Sequence, residues 1–244
     1  MAQRLDQALV ERGLAPTRAR ARDAILRGHV TVGGRPAAKP AQSVADGVAI
    51  AMDDPAAGYV ARSALKLLAG LGRFGFSPAG LAALDIGAST GGFTQVLLER
   101  GARHIDAIDV GHGQLDARLA ADPRVTSREG VNARDLTLAD LTEPPQAIVA
   151  DISFVSLTLA LPPALALAAR VAWGVFLVKP QFEVGPAALG KGGIVRDPAL
   201  AERVPQDIAA WLDGRDGWRS VGVIPSPIAG GDGNREYLIG ARRG

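Results

Sequence analysis

From residue 59 onward, short aliphatic runs alternate with stretches of helical period, and no other feature restricts the fold so far. Strands are expected near 82–86, 104–109, 124–127, 146–151, 174–179, 219–224 and 235–240, and helices near 62–71, 92–101, 113–120, 156–169 and 198–213. A parallel strand pair needs a helix-length return, so this alternation specifies a mostly parallel sheet with helices on both faces. The expected fold class is α/β, a doubly wound Rossmann-like sheet over residues 59–244.

The first 51 residues read differently. Leu5 and Leu9, then Ala21, Ala24 and Ile25, recur at helical spacing on either side of Gly13. Thr17 stands where it can cap the second helix, which carries Arg18, Arg20 and Arg22. Val30 and Val32 precede a Gly33-Gly34 turn, and Val48 and Ile50 follow as strand residues. This is a small α+β module over 1–51, joined by the linker "MDDPAAG" at 52–58. The net charge of +2 conceals an uneven distribution: residues 1–40 carry +5 and the remainder −3. A basic head on a mildly acidic body suits a polyanionic partner.

Several classes are excluded or disfavoured. With no cysteine there is no disulfide framework, thiolate metal site or cysteine nucleophile. His29, His104 and His112 have no metal-ligand spacing, and no metal site is expected. The opening "MAQRLDQALVERG" lacks the apolar stretch of a secretory signal, and a cytoplasmic protein is expected. Residues 152–169 form an 18-residue uncharged run. Pro162 and Pro163 interrupt it, Ser153, Ser156 and Thr158 make its first half polar, and Asp151 and Arg170 bracket it. A buried helical segment is therefore expected, not a membrane span. Trp173, Trp211 and Trp218 are expected in the core.

The turn after the first strand of the α/β domain, "LDIGASTGGFT", carries Gly87, Ser89, Gly91, Gly92 and Phe93. Its glycines let backbone approach a ligand closely, but Ser89 replaces the second glycine of the usual dinucleotide fingerprint. Asp109 ends the next strand, 22 residues after Gly87, where a carboxylate can accept from both ribose hydroxyls of an adenosine. It would repel a 2′-phosphate. Asp85 adds a carboxylate favourable to a cation, so the set suits S-adenosylmethionine (SAM) better than a pyrophosphate ligand. Asn132, after the third strand, can serve the adenine side or simply form a turn.

Four charged residues stand at strand or helix positions that face such a ligand. Lys66 lies on the helix before the first strand, Asp151 ends "AIVAD", Lys179 ends "GVFLVKP" and Glu236 opens "REYLIG". Ligands of open α/β sheets bind at the carboxyl ends of the strands, which is where Asp151 and Lys179 fall. Two lysines and two acids beside a methyl donor are suited to activating a hydroxyl. One lysine holds the oxygen or takes its proton, a second stabilises negative charge, and the acids orient them.

The chain resembles the TlyA family of ribosomal RNA methyltransferases, also called haemolysin A, with an FtsJ-like catalytic domain. The matching words run through nearly the whole sequence: "RLDQALVERGLAPTRARA", "GHVTVGG", "YVARSALKL", "DIGASTGGFT", "DVGHGQL", "ADISFVSL", "LVKPQFEVG", "GKGGIVRDP" and "SPIAGGDGNREYL". The resemblance implies a SAM-dependent 2′-O-methylation of cytidine in ribosomal RNA, with Lys66, Asp151, Lys179 and Glu236 as its catalytic tetrad. It also implies an N-terminal module like the RNA-binding domain of ribosomal protein S4, with Arg4, Arg18, Arg20 and Arg22 as phosphate contacts. Lys191 and Arg196, in "GPAALGKGGIVRDP", belong either to an RNA-facing loop or to an ordinary surface loop.

The chain departs from the family at "ARSA", residues 61–64, where members usually read Ser-Arg-Gly-Gly, and it lacks an acid after Gly47. Its short ends favour a large-subunit substrate, since members that also modify the small subunit tend to be longer. Base-directed methylation is disfavoured: there is no cysteine nucleophile, and Asp151-Ile152-Ser153-Phe154 lacks the prolines of an exocyclic-amine methyltransferase. The remaining alternatives are a membrane-active haemolysin and a non-catalytic RNA-binding assembly factor.

Overall fold

A computed structural model describes residues 2–230 and 233–244. The chain divides into two compact units, one ending at Gly58 and one beginning at Tyr59.

The N-terminal unit comprises β1 (Gln3–Arg4), α1 (Leu5–Glu11), α2 (Arg18–Leu26), β2 (Val30–Val32), β3 (Arg35–Pro36), β4 (Ser43–Val44) and β5 (Ile50–Met52). Thr17 caps α2, its hydroxyl accepting from the Arg20 amide at 3.2 Å. The β2–β3 hairpin turns at Gly33 and Gly34, both at positive φ, a backbone that matches the twist of the strands and that glycine adopts without strain. β2 also pairs antiparallel with β5, and β1 with β4. Leu5, Leu9, Ala21, Ala24, Ile25 and Val30 form the core of this unit.

The second unit runs α3 (Ala64–Phe74), β6 (Ala82–Ile86), α4 (Gly92–Glu99), β7 (His104–Asp109), α5 (Ala117–Ala120), β8 (Val125–Glu129) and β9 (Ala147–Ala150). It continues with α6 (Leu157–Ala160), α7 (Pro162–Leu167), β10 (Ala172–Val178), α8 (Pro180–Glu183), α9 (Pro198–Asp213), β11 (Trp218–Pro225) and β12 (Tyr237–Arg243). One sheet holds its strands in the order β11-β12-β10-β9-β6-β7-β8. The strands from β10 to β8 pair in parallel, and β12 is inserted antiparallel between β10 and β11. The sheet is thus a mixed, doubly wound one.

β6, β9 and β10 are buried along their whole lengths, which is why β9 and β10 are unbroken apolar runs and β6 departs from one only at Asp85. On one face Leu84, Ile86, Ile148 and Phe176 pack with residues of α6, α7 and α9. On the other Ala83, Ile105, Val149 and Val175 pack with residues of α3 and α4. Trp173 and Trp218 are buried in these cores, and Trp211 is partly buried against the first.

Two helices differ from the sequence expectation. The one expected over 113–120 is confined to Ala117–Ala120, because the Glu129 carboxylate accepts from the Gly113 and Gln114 amides at 2.6 and 3.1 Å and holds them in a loop. The one expected over 156–169 is divided into α6 and α7. Pro162 and Pro163 occupy the first turn of α7, where a missing N–H leaves no bond unmade. Among the described residues no helix is long and apolar enough to cross a membrane.

Candidate active site

After β6 the chain turns to β7 and β8 on one side and then returns to β9 and β10 on the other. The carboxyl ends of β6 and β9 therefore form the switch point at which an open α/β sheet binds its ligand. The turn there is shaped by backbone that only glycine allows easily. Gly87 has φ +80, and a Cβ on it would lie 2.8 Å from the Asp151 carbonyl oxygen. Ser89 holds φ +47, a conformation costing about 1–3 kcal/mol for a residue with a Cβ. It is kept there by two bonds: its amide donates to Asp109 Oδ2 at 2.8 Å, and its hydroxyl donates to Gln114 Oε1 at 3.0 Å. Asp109 Oδ1 accepts from the Gly111 amide at 2.7 Å, so both carboxylate oxygens are fixed in orientation.

Two adjoining clefts open here. The larger, about 390 Å³, is lined by Ser89, Asp109, Val110, Gln114, Asn132 and Phe154, among others. The smaller, about 270 Å³, is lined by Arg62, Ser63, Phe93, Lys179 and neighbours. Gly87, Ser89, Asp151 and Ser153 line both. Of the residues expected to hold the cofactor, Gly87, Ser89, Asp109, Asn132 and Phe93 reach a cleft, while Asp85, Gly91 and Gly92 lie behind the lining. Gly91 is there for room, since a Cβ would collide with Leu115 and Leu119, and one at Gly92 would collide with the Ser63 hydroxyl. Asn132 faces the larger cleft and is also a turn former: its Oδ1 accepts from the Arg134 amide at 3.1 Å.

Asp85 is inaccessible, and its Oδ2 accepts a 2.6 Å bond from the Thr94 hydroxyl. Its Oδ1 has no partner among the described residues. Burial pushes its carboxyl up to about 7; the Thr94 bond opposes the rise, and the negative charges of Asp151 and Asp109 add to it. Three acids around one turn make a field that favours a cationic ligand.

The four charged residues singled out in the sequence meet in two ion pairs. Lys179 Nζ lies 2.6 Å from Asp151 Oδ1 and donates to Ser153 Oγ at 2.9 Å. Lys66 Nζ donates to Glu236 Oε2 at 2.6 Å, with both side chains almost wholly buried. The pairs belong to adjacent strand ends, because Lys179 and Glu236 each stand one residue beyond the Val178–Tyr237 register of β10 and β12. An ammonium has three donors. Asp151 and Ser153 engage two on Lys179, and the smaller cleft is what the third can meet.

Residues 59–243 match the FtsJ-like methyltransferase family, and residues 3–50 match the S4 domain. The 16S/23S rRNA (cytidine-2′-O)-methyltransferase TlyA of Mycobacterium tuberculosis is 47% identical over 240 residues, covering 98% of this chain and 89% of that protein. This chain belongs to the TlyA family. Hemolysin A of Brachyspira hyodysenteriae is 39% identical over 237 residues, covering 96% of this chain and 98% of its own. A solved Streptococcus thermophilus protein described as a hemolysin superposes with a TM-score of 0.76 at 37% identity, over 99% of this chain and 88% of that one.

In this TlyA-family chain the S4 unit keeps three of the four expected arginines in internal contacts. Arg4 binds the inaccessible Asp6 through two bonds, at 3.0 and 2.9 Å, and Arg18 reaches the same carboxylate at 3.3 Å. Arg20 donates to the Ala56 carbonyl, and Arg22 is exposed. Lys191 and Arg196 are exposed in the loop after α8. Sequence reasoning missed Asp6, Ser153, Phe154 and Gln114. The signal for Ser153 and Phe154 was their closeness to Asp151 in "DISF"; Asp6 and Gln114 carried none of their own.

Proposed function

We infer that this protein methylates the 2′-oxygen of a cytidine in ribosomal RNA with SAM as donor. Membership of the TlyA family carries the reaction, and the residues at the switch point fit the donor. The orphaned oxygen of Asp85 and the carboxylates of Asp109 and Asp151 suit a sulfonium compound, and Gly87 leaves the space that a Cβ would fill. Bound SAM supplies an electrophilic methyl carbon. Asp109 would hold the adenosine ribose, Val110 and Asn132 would face its base, and Ser89 and Gly87 would border the point where the two clefts join.

The finer assignment concerns the acceptor. Lys179 holds the 2′-oxygen and stabilises negative charge developing on it as its proton passes to water. Asp151 and Ser153 fix the ammonium. The Lys66–Glu236 pair adds a second, more buried cation behind it. The observation that supports this is that Asp151 and Lys179 line the smaller cleft as an ion pair, with the Lys66–Glu236 pair at the neighbouring strand end. The large subunit is the preferred substrate in this reading.

The test is to map ribose methyl groups on ribosomal RNA from cells with and without the protein, and with Lys179→Ala. The variant should bind RNA normally and transfer at least ~10²-fold more slowly. Full transfer by Lys179→Ala would remove the role assigned to that lysine. Methyl groups on small-subunit RNA alone would reverse the subunit preference.

A further inference from the structure

The segment Ile152–Val155 follows Asp151 and lines the larger cleft. Phe154 within it holds φ +66 and is 91% exposed, a strained backbone carrying an apolar ring in the open. Such a conformation persists only where its surroundings over-determine it.

Ile152 and Val155 pack against the core on either side of the exposed turn, and the polar and ring contacts that hold the turn come from one five-residue stretch, Lys179–Glu183. On the near side Lys179 binds Asp151 and Ser153. In the middle the Phe182 ring lies 5.1 Å from that of Phe154, centroid to centroid. On the far side Glu183 accepts from the Ser156 hydroxyl and, at 2.9 Å, from the Leu157 amide, so it caps α6 from another element. Burial pushes the Glu183 carboxyl up, against the bonds from Leu157 and Ser156 that favour its charge. A carboxylate kept inside at such a cost is retained for what it holds in place.

We propose that Glu183 is a positioning residue for the methyl transfer, closing a clamp that fixes the Asp151–Ser156 segment and, through it, the Lys179 ammonium and the wall of the larger cleft. It touches no reacting atom. The inference rests on the functional reading above, and its test has an arm that does not need activity.

Hydrogen exchange of the ligand-free protein reads the clamp directly, because the Leu157 amide is one of its bonds. In Glu183→Ala, exchange across residues 152–158 should rise about tenfold or more while the cores of both units keep their protection. In steady-state transfer to ribosomal RNA, kcat should fall ~10- to 100-fold with KM for RNA within about threefold, because the loss is one of alignment. Glu183→Gln should stay within about threefold of wild type, since its carbonyl oxygen still accepts from Leu157 and its amide can donate to Ser156. If Glu183→Ala does not fold, Ser156→Ala breaks the same bond from the other side and should give a smaller loss of the same kind, about threefold. Wild-type exchange in the segment, an unchanged kcat, or equal damage by Gln and Ala overturns the proposal. If the wild-type protein transfers no methyl group to a cytidine 2′-oxygen, the functional reading fails, and the exchange arm alone decides the clamp.

Discussion

Two aspartates, one in each unit, are equally inaccessible and electrostatically opposite. Asp6 sits under the guanidinium groups of Arg4 and Arg18. The bond from Arg4, opposed by burial and helped by Arg18, holds its carboxyl down at about 2. Asp85 is held by Thr94, through its hydroxyl at 2.6 Å and its amide, and burial pushes it up to about 7. The residue type is the same and neither has accessible surface. What differs is depth and a cation: Asp6 lies just beneath two half-exposed guanidinium groups of the N-terminal unit, whereas Asp85 is deep in the α/β unit with no cation paired to it among the described residues. A buried carboxylate without a cation opposes folding unless something else uses it. The cation missing at Asp85 is the kind of charge that a sulfonium donor brings.

The largest effect should come from Asp85→Asn. The Asp85 carboxyl has its folded value raised above the unfolded one, near 3.8. The folded chain therefore holds a proton that the unfolded chain has lost between about pH 4 and 7. Stability falls through that window and is flat above it, by an amount on the order of 4 kcal/mol. Asn keeps an acceptor for Thr94 and removes the charge. The variant should gain roughly 2–3 kcal/mol at pH 8 and nothing below pH 4, measured by denaturant unfolding of the α/β unit. It should also bind SAM more weakly by calorimetry. A gain in stability with no loss of affinity would separate Asp85 from the ligand.

Thr94→Val should act in the other direction and by less. It strips the Thr94 hydroxyl's bond from Asp85 while keeping the one from the Thr94 amide, and the loss should be about 1–3 kcal/mol at pH 8, where the carboxylate is charged. At pH 4 the carboxyl is neutral in both proteins, and the loss should shrink. A pH-independent loss would mean that Thr94 matters for packing alone.

The sequence was most legible where one local rule decides the structure. The Thr17 cap, the Gly33-Gly34 hairpin, and strands β9 and β10 follow from spacing, capping chemistry and continuous apolar runs. The order of the strands, and with it the insertion of β12 between β10 and β11, is a property of long-range pairing and leaves no local trace. The same holds at the site. Lys66 could be named as a charge on the helix before the first strand and Glu236 as one opening the last strand, but their pairing spans 170 positions. Glu183 was invisible because its role is to cap a helix on a different element. Asp85 looked like a ligand contact, since an acid before a glycine turn reads the same whether it faces the cleft or the helix behind it.

The smallest effects, and the sharpest on the comparison, concern Asp6. Its value is depressed, so its stabilising contribution is complete above about pH 4 and is lost as pH falls through about 2. Hydrogen exchange of α1 should therefore rise in the N-terminal unit between those values, while the α/β unit gains from protonating Asp85 before that point. Arg4 and Arg18 share this carboxylate unequally: Arg4 is bidentate, whereas Arg18 makes a single 3.3 Å contact and is half exposed. Arg4→Ala should accordingly loosen α1 and leave the salt dependence of RNA binding nearly unchanged. Arg18→Ala should leave α1 protected and lower the slope of log affinity against log salt by about 1, with a loss of a few-fold in affinity. If both variants changed the slope equally, Asp6 would be presenting two guanidinium groups to RNA, and its low value would serve binding as much as folding.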